Sequence, residues 1–240
     1  MLGRLSVIGI GPGDPELLTL KAARIIKESR VLCVPKGREE GSSLALSIVK
    51  RAVSIDGKEI IEAHFPMKKT RTNKLAADPD LDDKWNEAVE VILGKLRNGI
   101  DLAFLTLGDP AVYSTFFYLY DKLLELHPEL NIEIVPGVSS VNASAARAGI
   151  SLGLGNDRIA VLPANYMDDL KTTLEAFDTV VLMKVNKVFN EVASMLAGMK
   201  LVENSICISR AGMEDEKIFK DIRTVRQEEL NYFSMVIVRK

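Results

Sequence analysis

Histidine and cysteine are scarce in this chain, with two of each among 240 residues, and tryptophan occurs once. Cys33 and Cys207 lie in apolar, strand-like runs without C-x-x-C spacing, which fits buried small side chains better than a disulfide or a metal pair. His64 and His127 stand far apart, so metal-ligand spacing is absent, no metal is expected, and each histidine reads as a surface residue. There is no G-x-x-x-x-G-K-[ST], which excludes a P-loop, and no G-x-S-x-G, which excludes the hydrolase elbow. No apolar run reaches the ~18 residues that a membrane span needs. The opening apolar run breaks at Gly9, unlike a secretory signal, so a cytoplasmic location is expected. One-sided charge is missing too: 31 basic against 33 acidic residues leave a net charge of −2. Neither nucleic acid nor an anionic membrane is therefore an expected partner.

What is present is an ordinary globular composition, 47% hydrophobic and 27% charged, enough for a real core in one large or two modest domains. The most informative stretch runs from Asp101 to Ser114. Leu102 to Leu107 has strand length and only Thr106 is polar. Gly108-Asp109-Pro110 then breaks the run, and Phe116, Leu119, Tyr120, Leu123 and Leu124 recur at helical spacing. Ligands of open α/β sheets sit beyond the carboxyl ends of the strands. Gly9-Ile10-Gly11-Pro12-Gly13-Asp14-Pro15 makes a second strand–breaker–helix unit, and Pro136-Gly137-Val138-Ser139-Ser140 a third. The first two loops are expected to face each other across one crevice.

The remaining elements alternate. Strands are expected over residues 4–10, 30–34 (ended by Pro35), 59–63, 132–135, 158–162, 179–183, 205–209 and 233–238. Helices are expected over 15–29 (capped by Asp14), 42–53, 84–98 (capped by Asp82 or Asp83), 139–149, 167–177 and 187–199. Residues 65–83 show no periodicity and read as one long basic loop, either solvated or an anion-binding flap. Such alternation predicts an α/β fold, with two α/β lobes meeting near Pro136: residues 1–136 and 137–240. Gly9 to Gly13 has the wrong spacing for G-x-G-x-x-G, and Asp14 follows where a pyrophosphate would sit, so a dinucleotide site is weak.

The three breaker loops carry a resemblance. The run Gly9-Ile10-Gly11-Pro12-Gly13-Asp14-Pro15-Glu16-Leu17-Leu18-Thr19-Leu20-Lys21-Ala22 resembles the opening motif of the tetrapyrrole methylase family. Thr106-Leu107-Gly108-Asp109-Pro110-Ala111-Val112-Tyr113 resembles its central motif, and Val135-Pro136-Gly137-Val138-Ser139-Ser140 its third. Phe65-Pro66-Met67 with the basic residues after it, and Tyr113-Ser114-Thr115-Phe116, resemble the precorrin-2 C(20)-methyltransferase branch of cobalamin biosynthesis.

The resemblance implies a two-lobed α/β homodimer that binds S-adenosylmethionine in a cleft between the lobes and methylates a tetrapyrrole. It implies cofactor contacts at Pro12, Leu107, Gly108, Asp109, Val112, Tyr113, Ser139, Ser140, Met183 and Ala211. Pro35 stands where the uroporphyrinogen-methylating branch has an acidic residue, so no general base is carried over and the catalytic residues stay unassigned. A methyl donor without phosphate needs apolar walls and backbone hydrogen bonds rather than a phosphate cradle. Asp109 is a candidate counter-charge for the sulfonium, or simply an acceptor for turn amides. An acceptor bearing carboxylates calls for basic groups: Lys68, Lys69, Arg71 and Lys74 first, then Lys184 and Arg210. Two alternatives stay open, a different methyl acceptor on the same fold and a nucleoside-binding module without turnover.

Overall fold

The computed structural model describes residues 1–36, 43–64, 79–165 and 169–240. Its chain separates into two units, Met1–Ser139 and Ser140–Lys240. In the first unit, strands β1 (Leu5–Gly9), β2 (Val31–Lys36), β3 (Glu59–His64), β4 (Leu102–Thr106) and β5 (Ile132–Val135) form one sheet in the order β3-β2-β4-β1-β5. All its pairings are parallel. Helices α1 (Leu20–Glu28), α2 (Leu44–Ala52), α3 (Pro79–Arg97) and α4 (Phe116–Leu126) cover it.

Residues two apart along a strand share a face. Leu5, Val7, Val31, Cys33, Leu102 and Phe104 therefore pack with Trp85, Ile92 and Leu96 of α3 and Phe116, Leu119 and Leu123 of α4. Ile8, Ile10, Leu32, Val34, Ala103 and Leu105 pack with Ala22, Ile25 and Ile26 of α1 and Leu46, Ile48 and Val49 of α2. Both faces are buried at the central strands β1 and β4, which is why these are almost wholly apolar rather than alternating, whereas the edge strands β3 and β5 carry Glu59, Glu62 and Glu133. Truncating one fully buried leucine such as Leu96, which is 0% exposed, costs about 2–5 kcal/mol.

This layering places the ligand-binding end of the sheet. The chain leaves β1 through α1 on one face and leaves β4 through α4 on the other, although β1 and β4 are neighbours. Their carboxyl ends thus form a topological switch point, where the two outgoing loops diverge and the backbone is approachable.

Several local boundaries differ from expectation. The helix expected over 15–29 is two pieces: a 3-10 turn at Pro15–Leu17, then α1. Leu18 is extended between them, and Thr19 accepts a hydrogen bond from the Ala22 amide, restarting the helix as its cap. Asp14 caps the first turn through Glu16 N, with Pro15 in the first position. Strand β2 does not stop at Pro35 but runs to Lys36. Only Val31 to Cys33 pair with β4, while Pro35 pairs opposite Ala63 of β3, so the missing amide donor falls where one flank is already open. Helix α3 begins at Pro79 and not at 84. Asp82 and Asp83 lie inside it rather than capping it, because proline is well suited to the first helical turn.

The second unit begins with α5 (Ser140–Ala148). It continues through β6 (Ile159–Pro163), α6 (Leu170–Ala176), β7 (Thr179–Met183), α7 (Phe189–Gly198), β8 (Ser205–Ser209), β9 (Lys217–Phe219) and β10 (Ser234–Arg239). The sheet order is β6-β7-β10-β8-β9, with β6 and β7 parallel and the other pairs antiparallel. Val141 and Ala145 of α5 pack on Val181, Ile208, Met235 and Ile237. The opposite face, Val180, Leu182, Cys207, Val236 and Val238, carries α6 and α7. The helix expected over 187–199 starts only at Phe189, after a 3-10 turn at Val185–Lys187. Of the helix expected over 167–177, residues 167 and 168 lie outside the described residues. The expected α/β class holds for both units, the second with a mixed rather than a parallel sheet.

Candidate functional site

Three loops meet at the carboxyl end of the first sheet. Gly11 and Gly108 form an isolated antiparallel bridge. The Gly11 amide donates to Gly108 O at 3.2 Å, and the Gly108 amide donates to Gly11 O at 2.7 Å. Both glycines have positive φ, 79° and 72°, a conformation costly for residues with a Cβ. The first two breaker loops thus touch through their main chains instead of facing each other across an open crevice.

The third loop closes against them. A Cβ placed on Gly137 would lie 2.5 Å from Gly108 O and 2.7 Å from Gly9 C. The Asp109 carboxylate binds the corner: Oδ1 accepts from Ala111 N at 2.7 Å and Oδ2 from Gly137 N at 2.9 Å. One aspartate therefore tightens its own turn and ties the β4 loop to the β5 loop. Both its oxygens are engaged by amides, so its observed role is that of an acceptor for main-chain donors. At the end of β4, Thr106 Oγ1 and Ser114 Oγ share a hydrogen bond of 3.1 Å, and Ser114 Oγ also accepts from Phe116 N.

Around this seam, Pro12 and Gly108 are buried, Leu107 and Asp109 half-buried, and Val112 and Tyr113 exposed. Tyr113 is in the left-handed region at φ 53°, which costs a non-glycine residue of order 1–3 kcal/mol and tends to occur at functional turns. Ser139 is buried at the end of the first unit, whereas Ser140 opens α5 in the second. Met183 ends β7, and Ala211 follows Arg210 beyond β8, both in the second unit. Lys68, Lys69, Arg71 and Lys74 lie outside the described residues. Gly9 and Gly137, which make the close approach possible, were not among the expected site residues. The only signal for them was the Gly/Pro character of the two loops.

Apart from the Asp109 carboxylate, which two amides hold, and the paired hydroxyls of Thr106 and Ser114, the seam is main chain with the apolar side chains of Pro12, Leu107 and Val112. Such a surface suits an uncharged nucleoside portion of a ligand better than a phosphate. Among the described residues no group of three or more His, Cys, Asp or Glu could hold a metal ion, and no helix is long and apolar enough to cross a membrane. A cavity of about 330 Å³ lined by Arg4, Ser6, Glu28, Arg30 and Asp101 opens at the amino end of the same sheet, away from the seam.

Residues 4–225 match the family described as tetrapyrrole (corrin/porphyrin) methylases. The chain belongs to this family. Among curated tetrapyrrole methylases, the cobalt-precorrin-2 C(20)-methyltransferase of Salmonella typhimurium is 34% identical over 100% of this chain and 98% of its own length. A probable cobalt-precorrin-2 C(20)-methyltransferase of Methanocaldococcus jannaschii is 35% identical over 97% of this chain and 94% of its own. A precorrin-2 C(20)-methyltransferase of a Sinorhizobium species is 28% identical over 99% and 95%. Solved structures of tetrapyrrole methylases share the fold. A cobalt precorrin-4 methyltransferase superposes with a TM-score of 0.76 at 21% identity, covering 98% of this chain and 94% of the other. The uroporphyrin-III C-methyltransferase of Thermus thermophilus, complexed with S-adenosylhomocysteine, gives 0.66 at 22% identity, covering 99% and 98%.

Proposed function

We propose that the protein is an S-adenosylmethionine-dependent C-methyltransferase acting on carbon 20 of precorrin-2 or its cobalt complex in cobalamin biosynthesis. The observation that carries this is the end-to-end similarity to C(20)-methyltransferases, 34% identical over 100% of this chain in the Salmonella case. The relatives that act on the cobalt complex are the more similar, at 34% and 35% against 28% for the precorrin-2 enzyme. That ordering favours cobalt-precorrin-2, with cobalt as part of the substrate. The metal-free acceptor is the second reading, on the strength of the Sinorhizobium relative.

When bound, S-adenosylmethionine supplies an electrophilic methyl group carried on a sulfonium. The seam residues Pro12, Leu107, Gly108 and Asp109, with Val112, Tyr113 and Ser139, are proposed to hold the cofactor by main-chain hydrogen bonds and apolar contact. Ser140, Met183 and Ala211 are proposed as further contacts. Lys68, Lys69, Arg71 and Lys74 are proposed to receive acceptor carboxylates. The chain's contribution is then alignment and exclusion of water, and well-placed reactants reach effective molarities on the order of 10⁵ M or more. No side chain is assigned as nucleophile or general base. The protein is proposed to act as a cytoplasmic homodimer without a nucleic-acid or membrane partner, which light scattering on the purified chain tests for the oligomeric state.

The deciding experiment is incubation with the methyl donor and either precorrin-2 or cobalt-precorrin-2, followed by mass spectrometry and carbon-13 NMR of the product. One added methyl at carbon 20 is expected. Methylation at another carbon reassigns the acceptor position, and cofactor binding without turnover on either acceptor leaves a nucleoside-binding module.

A further inference from the structure

The loop that follows β8 is held in a backbone state that it would not keep by itself. Arg210 is left-handed at φ 58°, and so is Gly212 at φ 76°. For a residue with a Cβ that state is unfavourable and persists only where the surroundings impose it. Ala211 lies between the two, 4% exposed, in one buried cluster with Val141 and Ala145 of α5. Two turns follow: the Met213 amide donates to Arg210 O at 2.9 Å, and the Glu216 amide to Met213 O at 3.1 Å. They return the Glu216 side chain to the start of the loop, where its Oε2 accepts from Gly212 N at 2.7 Å.

The same carboxylate is gripped from α5. Arg147 donates through Nε to Oε1 at 2.8 Å and Oε2 at 3.0 Å, and its Nη2 lies 2.7 Å from Oε1. An ion pair between two exposed side chains contributes little. This one differs in three respects. The Glu216 side chain is only 10% exposed, although that of Arg147 is 59% exposed. The guanidinium meets both oxygens, the forked geometry that fixes direction as well as distance. The third donor, the Gly212 amide, is main chain, so the place of the carboxylate becomes the place of the backbone. Arg147 stands in the last turn of α5, 69 residues from Glu216 in the chain, and α5 is itself packed on the sheet through Val141 and Ala145. A continuous set of contacts thus leads from α5 through Arg147 and Glu216 to Gly212 and Ala211.

We propose that Glu216, fixed by Arg147, is a positioning residue for the methyl donor: it sets the main chain at Ala211 and Gly212 and thereby places the proposed cofactor contact Ala211. The assignment deepens the methyltransferase reading and rests on it for the identity of the ligand. The test uses the full chain, with S-adenosylhomocysteine binding by calorimetry and amide hydrogen exchange of residues 210–216 by mass spectrometry. Glu216→Ala speeds exchange in that segment and weakens S-adenosylhomocysteine by about tenfold or more, the scale of one charge-assisted hydrogen bond. Arg147→Ala leaves the Gly212 amide its acceptor and weakens binding less, by about threefold. The double variant is no weaker than Glu216→Ala, because Arg147 acts only through Glu216 and the two losses do not add. In turnover of cobalt-precorrin-2, the KM for the methyl donor rises in Glu216→Ala while the KM for the tetrapyrrole stays within about twofold.

Glu216→Gln keeps a carbonyl acceptor for the Gly212 amide and is expected between alanine and wild type in affinity; it replaces the alanine variant if that chain does not fold. Faster exchange and a lowered melting temperature with wild-type affinity, in either Glu216 variant, would show the carboxylate to be purely structural and overturn the proposal. Additive losses in the double variant overturn the route through Glu216 as well. If wild-type protein does not bind S-adenosylhomocysteine, the methyltransferase reading and the assignment fall together. If it binds and Glu216→Ala binds equally, the assignment alone falls. If the variants order as expected and no methyl reaches cobalt-precorrin-2 or precorrin-2, the choice of acceptor fails and the positioning role stands.

Discussion

Gly9 and Gly137 approach so closely that neither has room for a Cβ: one built on Gly9 would sit 2.6 Å from Gly137 N, and one on Gly137 would sit 2.8 Å from Gly9 O. The neighbouring atoms are mostly backbone, so they cannot rotate away. Gly137→Ala is expected to cost about 1–3 kcal/mol, the usual range for overpacking. Because the strain falls on the seam, affinity for S-adenosylhomocysteine should drop with it. Urea unfolding and calorimetry measure both, and an alanine variant with wild-type values in each would show that the seam yields freely.

Asp109 spans two loops with one carboxylate, at 2.7 Å to Ala111 N and 2.9 Å to Gly137 N. Asp109→Ala leaves both amides without that acceptor and should destabilise the first unit by about 1–3 kcal/mol. Asp109→Asn retains one carbonyl acceptor and should fall between alanine and wild type. If the carboxylate mattered only as a charge beside the sulfonium, both variants would keep wild-type stability and lose cofactor affinity equally. Denaturant midpoints and cofactor titrations on the two variants separate these outcomes.

Glu229 is held by Arg226 and Lys217, and the Arg226 hydrogen bonds foremost pull its carboxyl from the ordinary 4.5 down to about 2. A lowered carboxyl pKa gives stability that is complete above the unfolded value and lost as pH falls through the folded one. The contribution of Glu229 should therefore fade between pH 4.5 and about 2. Glu229→Gln should show a shallower fall of melting temperature over that window than wild type, and parallel curves would remove Glu229 from the acid response.

Cys33 and Cys207 are fully buried, and burial pushes both thiols up to about 12. The reactive form is the thiolate, so iodoacetamide at pH 8 should label neither in the folded protein and both after unfolding in urea. Labelling of folded protein, located by peptide mass mapping, would reveal local opening of the corresponding sheet.

Reversing charge at Lys68 and Lys69 together should raise the KM for the tetrapyrrole by about tenfold, as for loss of charge-assisted contacts, without changing cofactor affinity. An unchanged KM would assign those charges to solvent.

Strands β1, β4 and β5 of the first unit were legible because they are short, largely apolar and closed by Gly/Pro clusters. β4 and β5 could be delimited from Leu102, Thr106, Ile132 and Val135 with little error. Helix ends were harder. Nothing in the run from Pro15 to Ser29 announces that Thr19 will turn its hydroxyl to Ala22 N and divide the helix, since threonine is tolerated in either role. β9 was missed because three residues paired along one edge leave almost no periodic signal. The bond from Asp109 to Gly137 joins residues 28 apart in the chain, a separation that no local pattern encodes. The motifs pointed to the loops, and tertiary packing decided which atoms meet.

Strand β1 has no early partner. Leu5 pairs with Leu102 on one side and Ile132 on the other, so β1 gains its partners only from the fourth and fifth strands of its own sheet. During translation the segment that will carry Gly11 emerges with both edges open, and its loop cannot be set until β4 and β5 have left the ribosome. Long-range pairings of this kind slow folding. A stall after β3 would leave an apolar strand unpartnered and open to association with other chains. Chains truncated before Ile132 should therefore be recovered as aggregates rather than as partly active protein.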